Sequence, residues 1–488
     1  MSEFKRLLSA LNPLTVSKNS LDTWDKSNNG AELSGPEVER LTAIRPSGLQ
    51  LGLQKLEYYS FIHFGMNTFT GVEWGKGAES PADFCPESID TDQWVKVLKD
   101  SGSRGVIFTA KHHDGFCLFP SKHTEHSIKN SPYKNGKGDI VRELSESCKK
   151  YGMLFGIYLS PWDRHEKTYG TDAYNDYFVN QLTELCENYG DIFAFWFDGA
   201  KGKDAPEFTY DFERYYNVIR TLQPGAAICN CGPDLRWIGN EGGIVRKSEW
   251  SVIPRSSTLI EEVMKDSQQG EADASSLQSF DRCEKDLGSR ELLSKHRDLV
   301  WSQGEADVSI HKDWFYSPRP RPRSARELEK IYFRTVGGNA LLLLNVPPSK
   351  NGIIEPSDVK LLENFKKRVD KAFRDELAFT VETQCRRALK ENEPLKKGDG
   401  AISLKLSSPE KVKTIVLSED TSRSQRIEKF DVYIKRSRGL LKVFSGTTVG
   451  SKRIIRLPGL LRKKTDEVVI SVTQSRGAPV FSKLSLYK

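Results

Sequence analysis

The sequence predicts an α/β protein: a (β/α)8 TIM-like barrel followed by a C-terminal β-sandwich. Three observations predict it. Six consecutive apolar residues, Ile192 to Phe197, four of them aromatic, make a strand buried on both faces, as a parallel sheet requires. Runs of this kind alternate with amphipathic segments across the middle of the chain, eight strands in all. Beyond residue 373 the rhythm gives way to short runs of alternating apolar and polar residues, the period of half-buried antiparallel strands.

Residues 1–50 are polar and mixed, with turn signals at Asn28-Asn29-Gly30 and Ser34-Gly35-Pro36, and read as an extension with one helix. The barrel is expected over 51–373. Its strands are Phe61 to Phe64, Gly105 to Thr109, Leu154 to Leu159 and Ile192 to Phe197. Weaker runs follow at Ala226 to Cys229, Ile244 to Arg246, Asp307 to Ile310 and Ala340 to Leu344. Helices are expected around Trp94 to Leu98, from Ile140 to the Tyr151-Gly152 stop, from Phe178 to Gly190, from Phe212 to Gly225 and from Ser357 to Phe373. A doubly wound open sheet is the alternative, but no Gly-rich phosphate loop follows the first strand. Residues 255–300, rich in Ser, Gln, Glu and Asp, interrupt the rhythm and read as a long loop insertion. The sandwich is expected over 374–488, with strands at Ile402 to Leu406, Thr414 to Leu417, Phe430 to Ile434 and Val468 to Val472. It has none of the nine tryptophans, which favours a structural role over a sugar-binding one.

Composition narrows the function. The net charge of +7 comes from 73 Lys+Arg against 66 Asp+Glu, with no basic stripe; the Arg462-Lys463-Lys464 cluster is followed at once by Asp466 and Glu467, so no nucleic-acid partner is expected. No segment reaches the ~18 apolar residues of a membrane span. The start of the chain lacks an apolar signal core, and a cytoplasmic location is the expectation. The eight cysteines are scattered; Cys229 and Cys231 are the one close pair, no second pair completes a zinc site, and no cofactor is implied.

Polar residues gather at the predicted strand ends, where α/β barrels place their chemistry. His63 ends the first strand, and Glu73 and Trp74 follow it. The second runs into His112-His113-Asp114, Tyr158 ends the third, and Asp198 ends the fourth. Adjacent histidines on a strand face opposite ways, so His112 and His113 need a bend to share a metal, and none is expected. Imidazole both donates and accepts hydrogen bonds, as a polyhydroxyl ligand requires. Trp74, Trp162, Trp196 and Trp314 suit stacking on sugar faces. Hydrolysis of a glycoside needs two carboxyl groups. Asp198 is one; the glycine-rich stretch from Cys231 to Gly243 offers Glu241 as its partner, with Asp234 and Glu249 as rivals.

Taken together, His63-Phe64-Gly65, Glu73-Trp74-Gly75, Lys111-His112-His113-Asp114-Gly115-Phe116, Tyr158 to Asp163, Phe197-Asp198-Gly199 and Leu344-Asn345-Val346-Pro347-Pro348 resemble the α-L-fucosidases of glycoside hydrolase family 29. Gly232-Pro233-Asp234 with Arg236 to Glu241 is similar to the subgroup, which includes plant enzymes, that removes α-1,3/1,4-linked fucose from branched glycans. The resemblance implies a retaining exo-fucosidase acting on a fucosylated oligosaccharide or glycoconjugate glycan. Asp198 would be the nucleophile and Glu241 the acid/base, with His63, Glu73, Trp74, His112, His113, Tyr158 and Trp196 around the fucose; Trp314 stays a substrate-binding candidate on its suitability for stacking alone. Arg236 and Trp237 lie a few residues from the implied acid and are expected to meet the aglycone. The alternatives are a broad or α-1,2-acting fucosidase, a fucose-binding protein without turnover, and a metal-dependent barrel using His112 and His113.

Overall fold

Alternation along each strand builds the barrel. The structure, a computed structural model, describes residues 35–203, 205–267, 286–383, 401–437 and 439–488. Eight parallel strands close on themselves: β1 (Tyr58–Ile62), β2 (Gly105–Lys111), β3 (Leu154–Leu159), β4 (Ala194–Phe197), β5 (Ala227–Asn230), β6 (Leu235–Trp237), β9 (Gln303–Ser309) and β10 (Leu341–Asn345). On β4, Phe195 and Phe197 pack outward against the helices, while Ala194 and Trp196 join Tyr59, Phe61, Ile107, Tyr158, Leu341 and Leu343 inside. Each buried aromatic or aliphatic side chain contributes about 1.5–3 kcal/mol. The period of two then carries the next inward position past the strand end, to Asp198. At the floor, Phe193 fills the space left by Gly105 and Gly156. A Cβ on either glycine would lie 3.2 or 2.9 Å from its ring, so two glycines buy room for one phenyl.

The predicted helices form, at Thr91–Asp100, Ile140–Tyr151, Asp172–Asn188, Phe212–Leu222 and Pro356–Ala372. Gly152 stops the second in the left-handed region, φ 66°, as its sequence position suggested. Two expectations need correction. Ile244 to Arg246 is not the sixth strand: this segment is a loop folded about Asn240, whose Oδ1 accepts from the backbone N–H of Gly242 and Ile244 at 3.0 and 3.1 Å. The sixth strand is Leu235–Trp237, inside the stretch read as a loop and only four residues after β5. The seventh starts at Gln303 rather than Asp307. In both cases a buried polar residue, Arg236 or Glu305, hides the strand from a search for apolar runs.

The connection from β6 to β9 contains an antiparallel ribbon, β7 (Val252–Pro254) with β8 (Leu299–Trp301), and the short helices Ile260–Asp266 and Arg290–Ser294; much of the insertion expected at 255–300 lies outside the described residues. Before the barrel come the helices Gly35–Ala43 and Gly48–Gln54, the second opened by a Ser47–Gln50 capping box.

The C-terminal unit stacks two antiparallel sheets. One runs β11 (Phe379–Thr383), β12 (Ala401–Lys411), β17 (Lys464–Ser475), β14 (Ile427–Arg436), β15 (Gly439–Gly446). The other runs β16 (Arg453–Arg456), β13 (Thr414–Glu419), β18 (Phe481–Tyr487). Their facing side chains, Leu404, Ile415, Leu417, Val432, Val468, Ile470 and Leu486 among them, form a core of their own.

Candidate active site

One cavity of about 240 Å³ opens at the C-terminal ends of the barrel strands. Its wall contains eleven of the residues singled out in the sequence: His63, Glu73, Trp74, His112, His113, Tyr158, Trp196, Asp198, Trp237, Glu241 and Trp314; Trp162 is not among its lining residues. Arg236 is not brought there, and the expectation that it meets the aglycone is withdrawn. On β6, Trp237 points inward, so its neighbour must point outward. The Arg236 guanidinium lies buried behind the barrel, ion-paired with Glu249 and donating to the carbonyls of Ser302 and Trp250 at 3.2 and 3.0 Å. Gly304 on β9 leaves room for this pair: a Cβ there would lie 3.2 Å from Glu249 Oε1 and 3.3 Å from Arg236 Nη2.

Asp198 sits on the inner wall with its side chain 20% exposed. Its Oδ2 accepts from Tyr158 Oη at 2.8 Å and its Oδ1 from the backbone N–H of Ala200 at 2.8 Å. Burial pushes this carboxyl above the ordinary aspartate value, and the Ala200, Tyr158 and Gly199 donors oppose the shift. Tyr158 is held between two rings, stacked on Trp196 at 5.4 Å and on His112 at 5.5 Å.

Hydrogen bonds fix what each imidazole offers the cavity. The Asn345 amide nitrogen donates to Ser309 Oγ and to the Trp314 carbonyl, so its Oδ1 faces His63 and accepts from Nδ1–H at 2.9 Å. Ser160 Oγ donates to the Trp162 carbonyl and therefore accepts from His113 Nδ1–H at 2.7 Å. Both Nε2 atoms are left as acceptors. His112 is the reverse: Asn67 Nδ2 donates to its Nδ1 at 3.3 Å, leaving Nε2–H as a donor. Burial lowers His63 and His113 to about 3 and His112 well below its usual value, so all three are neutral rings. The two adjacent histidines reach the same cavity, their rings 4.1 Å apart, because β2 ends at Lys111 and the chain turns.

The three candidate acids separate cleanly. Asp234 is tied to Arg220 at 2.6 Å and to the Ile228 N–H at 2.7 Å. Glu249 is tied to Arg236 and lies 3.5 Å from Arg246. Glu241 alone of the three lines the cavity, where Trp314 Nε1 donates to its Oε2 at 3.3 Å. Burial, and then the nearby carboxyl of Asp307, push Glu241 well above the ordinary glutamate value. Trp314 also donates its backbone N–H to Glu73 Oε1 at 2.5 Å, and burial raises Glu73 to about 7.

Asp307 is the main residue that sequence reasoning missed. It lines the cavity beside Trp237, whose Nε1 donates to its Oδ1 at 2.7 Å, and burial raises it to about 7. Glu305, two residues earlier on the same inward face, accepts from Trp196 Nε1 at 2.8 Å and from Tyr59 Oη. Two acids at i and i+2 on one strand were the available signal. Phe61, Asn230 and Ser267 also line the wall.

Among the described residues, no lysine or arginine lines the cavity and no cluster of His, Cys, Asp or Glu is arranged to hold a metal ion. Neutral donors and acceptors, aromatic faces and several carboxyls suit an uncharged, hydroxylated ring.

The comparisons with known proteins agree with this chemistry. The family model described as alpha-L-fucosidase matches residues 52–369, which spans the whole barrel. Alpha-L-fucosidase 1 of Arabidopsis thaliana is 36% identical over 469 residues, covering 91% of this chain and 87% of the relative. A putative alpha-L-fucosidase 1 of Oryza sativa subsp. japonica is 34% identical over 464 residues, covering 91% and 84%. Among solved structures, a putative alpha-L-fucosidase from Bacteroides ovatus superposes with a TM-score of 0.82 at 36% identity, covering 96% of this chain and 78% of that one. A family 29 fucosidase of Ruminococcus gnavus, solved in complex with fucose, gives 0.76 at 28% identity, covering 96% and 99%. The chain belongs to the alpha-L-fucosidase family and is a glycoside hydrolase that releases fucose.

Proposed function

We propose that the enzyme works with retention of configuration, Asp198 acting as nucleophile and Glu241 as acid/base. The observation that supports this reading most is the unequal setting of the two carboxyls in one cavity. Asp198 is met by three fixed donors that favour its ionised form. Glu241 is buried beside another carboxyl, and both favour its protonated form against the single indole N–H that opposes them. In the first step an Asp198 oxygen attacks the anomeric carbon, the glycosidic C–O bond breaks, and the Glu241 proton passes to the leaving oxygen. In the second, Glu241 takes a proton from water, the water oxygen bonds to the anomeric carbon, and Asp198 is released. Tyr158 Oη and the Ala200 N–H take up the charge that returns to Asp198. The bare Nε2 atoms of His63 and His113 accept from fucose hydroxyls, and His112 Nε2–H donates to one.

Asp198→Ala is expected to lower turnover of an aryl α-L-fucoside on the order of 10⁴-fold. NMR of the first-formed sugar with the unmodified enzyme should show α-L-fucose. Appearance of the β-anomer would overturn retention, and full activity of Asp198→Ala would overturn the nucleophile.

The preferred substrate in this reading is a branched glycan with α-1,3/1,4-linked fucose. Trp237 supports it: it lies at the cavity wall four residues before Glu241, and an acid that reaches the leaving oxygen brings its neighbours close to the aglycone. The enzyme should cleave such a branched trisaccharide faster than α-1,2-fucosyl lactose; the opposite order would remove the linkage assignment and leave the chemistry intact.

A further inference from the structure

The Glu241 loop is built between the barrel and the β-sandwich. From the barrel side, Ile238 donates its N–H to the Glu305 carbonyl at 2.9 Å, and Arg246 Nη1 donates back to the Ile238 carbonyl at 3.2 Å. Arg246 and Arg236 both face the Glu249 carboxylate, so that buried acid braces the loop on which Glu241 lies. The backbone around Glu249 is in turn held from outside. Gln425 of the sandwich, with no exposed surface, accepts from the Ser251 N–H at 2.9 Å and donates its Nε2 to the Glu249 carbonyl at 3.0 Å. Asn339 donates to that same carbonyl at 3.0 Å and to Gln425 Oε1 at 3.3 Å. Thr447 Oγ1 and Arg453 Nη2 donate to the Lys247 carbonyl at 2.6 and 3.3 Å. The Arg476 guanidinium lies 3.6 Å from the centre of the Trp250 ring.

We infer that Gln425 is a positioning residue for the Glu241 carboxyl, and that the β-sandwich serves catalysis by forming the outer wall of the acid/base loop. The inference rests on the reading of Glu241 as acid/base. It has a selective consequence. His63, Tyr158, Asp198 and Asp307 are placed by barrel strands, whereas Glu241 is placed by residues 238–251, four of whose members take contacts from the sandwich. A buried N–H left without its acceptor draws the local backbone toward another partner. Loosening Gln425 therefore moves the acid and leaves fucose binding and the nucleophile in place. Misplacement of a reacting group by about 1 Å can cost on the order of a hundredfold in rate.

The test uses the full chain and two substrates that differ in their need for a proton. Fluoride leaves α-L-fucosyl fluoride without general-acid help; phenoxide leaves phenyl α-L-fucoside poorly without it. Gln425→Ala should lower kcat/KM for the phenyl fucoside on the order of tenfold or more and leave kcat/KM for the fluoride and inhibition by free fucose unchanged. Thr447→Val, which removes one bond at the loop's outer edge, should show the same selectivity at about threefold, and it decides the question if Gln425→Ala does not fold. Equal losses on both substrates, or no loss on either, would overturn the positioning role. Glu241→Ala serves as the reference. If that variant does not itself discriminate between the two substrates, the reading of Glu241 fails instead, and the two failures are told apart.

Discussion

Two buried glutamates, one in each half of the molecule, are held in opposite ways. In the sandwich, Glu419 on β13 accepts from the backbone N–H of Arg426 and Ile427 at 2.7 and 2.9 Å and from that of Gly450 at 2.7 Å. Both oxygens are committed to fixed donors, and the side chain pins two turns to a strand. In the barrel, Glu241 receives one indole N–H at the longer distance of 3.3 Å and faces a cavity. A carboxyl whose two oxygens are both committed to fixed backbone donors is a structural device. One buried with an open oxygen beside other carboxyls retains a proton and can give it away. Burial alone does not distinguish them; the number and rigidity of the donors does.

Glutamine exchanges should pull the two roles apart. Glu241→Gln keeps the shape and removes the proton, so kcat/KM for phenyl α-L-fucoside should fall by about 10²–10⁴, roughly 3–5 kcal/mol of transition-state stabilisation. The thermal midpoint should hold or rise, because an isosteric amide replaces an acid that burial already keeps neutral. A folded Glu241→Gln variant with parental kinetics on that substrate would place the acid elsewhere, with Asp307 the first alternative. Glu419→Gln should do the reverse. Its amide nitrogen cannot accept, so at least one of three buried N–H groups loses its partner, at a cost of about 2 kcal/mol. Calorimetry should show a lowered midpoint, while kcat/KM for α-L-fucosyl fluoride, whose first step asks no proton of Glu241, stays at the parental level. An unchanged midpoint would mean that the Glu419 network contributes nothing to stability and that the contrast is geometric only.

The same physics explains what could be read from the chain and what could not. Strands such as Gly105–Lys111 and Ala194–Phe197 are legible because both faces of a parallel sheet are buried and the residues say so. Asp198 is legible because it ends such a run, where α/β barrels place their chemistry, although an Asp there serves equally well to cap a following helix. Leu235–Trp237 is illegible: three residues long, it carries an arginine whose charge is cancelled by Glu249, thirteen positions further on. The pairing that makes the strand possible does not exist in one dimension. Arg236 shows the cost. Counting along the chain puts it beside Trp237, but strand alternation puts it on the other side of the barrel wall. Asp307 reads in sequence as part of a strand and not of the site, since its partner Trp237 belongs to a strand that no apolar run marks. The division between the histidines, two acceptors and one donor, depends on Asn345, Ser160 and Asn67, none of which announces itself in sequence.

Asp307 permits the finest test of the comparison, because it lies between the two cases: one oxygen accepts from Trp237 Nε1, and its carboxyl still faces the cavity. Its charge bears on Glu241. A carboxylate nearby disfavours ionisation of the acid, so Asp307 holds the Glu241 proton to higher pH. The protonated form of Glu241 is the donor, and kcat/KM should therefore fall on the alkaline side as that proton is lost. Asp307→Asn keeps an acceptor for Trp237 and deletes the charge. The alkaline limb should then move to lower pH by about one unit, roughly 1.4 kcal/mol. The direction follows from the sign: removing a negative neighbour makes the second carboxyl easier to ionise. The window follows from Asp307 itself, whose carboxyl is pushed up to about 7 by burial. Well below that pH it is neutral, so the variant should match the parent in acid and diverge from it as the pH rises through neutrality. Phenyl α-L-fucoside is the substrate for the profile, and α-L-fucosyl fluoride should show no such shift. An alkaline limb that stays in place would mean that Asp307 and Glu241 titrate independently, and loss of activity on phenyl α-L-fucoside at every pH, with kcat/KM for the fluoride kept, would mean that Asp307 supplies the proton.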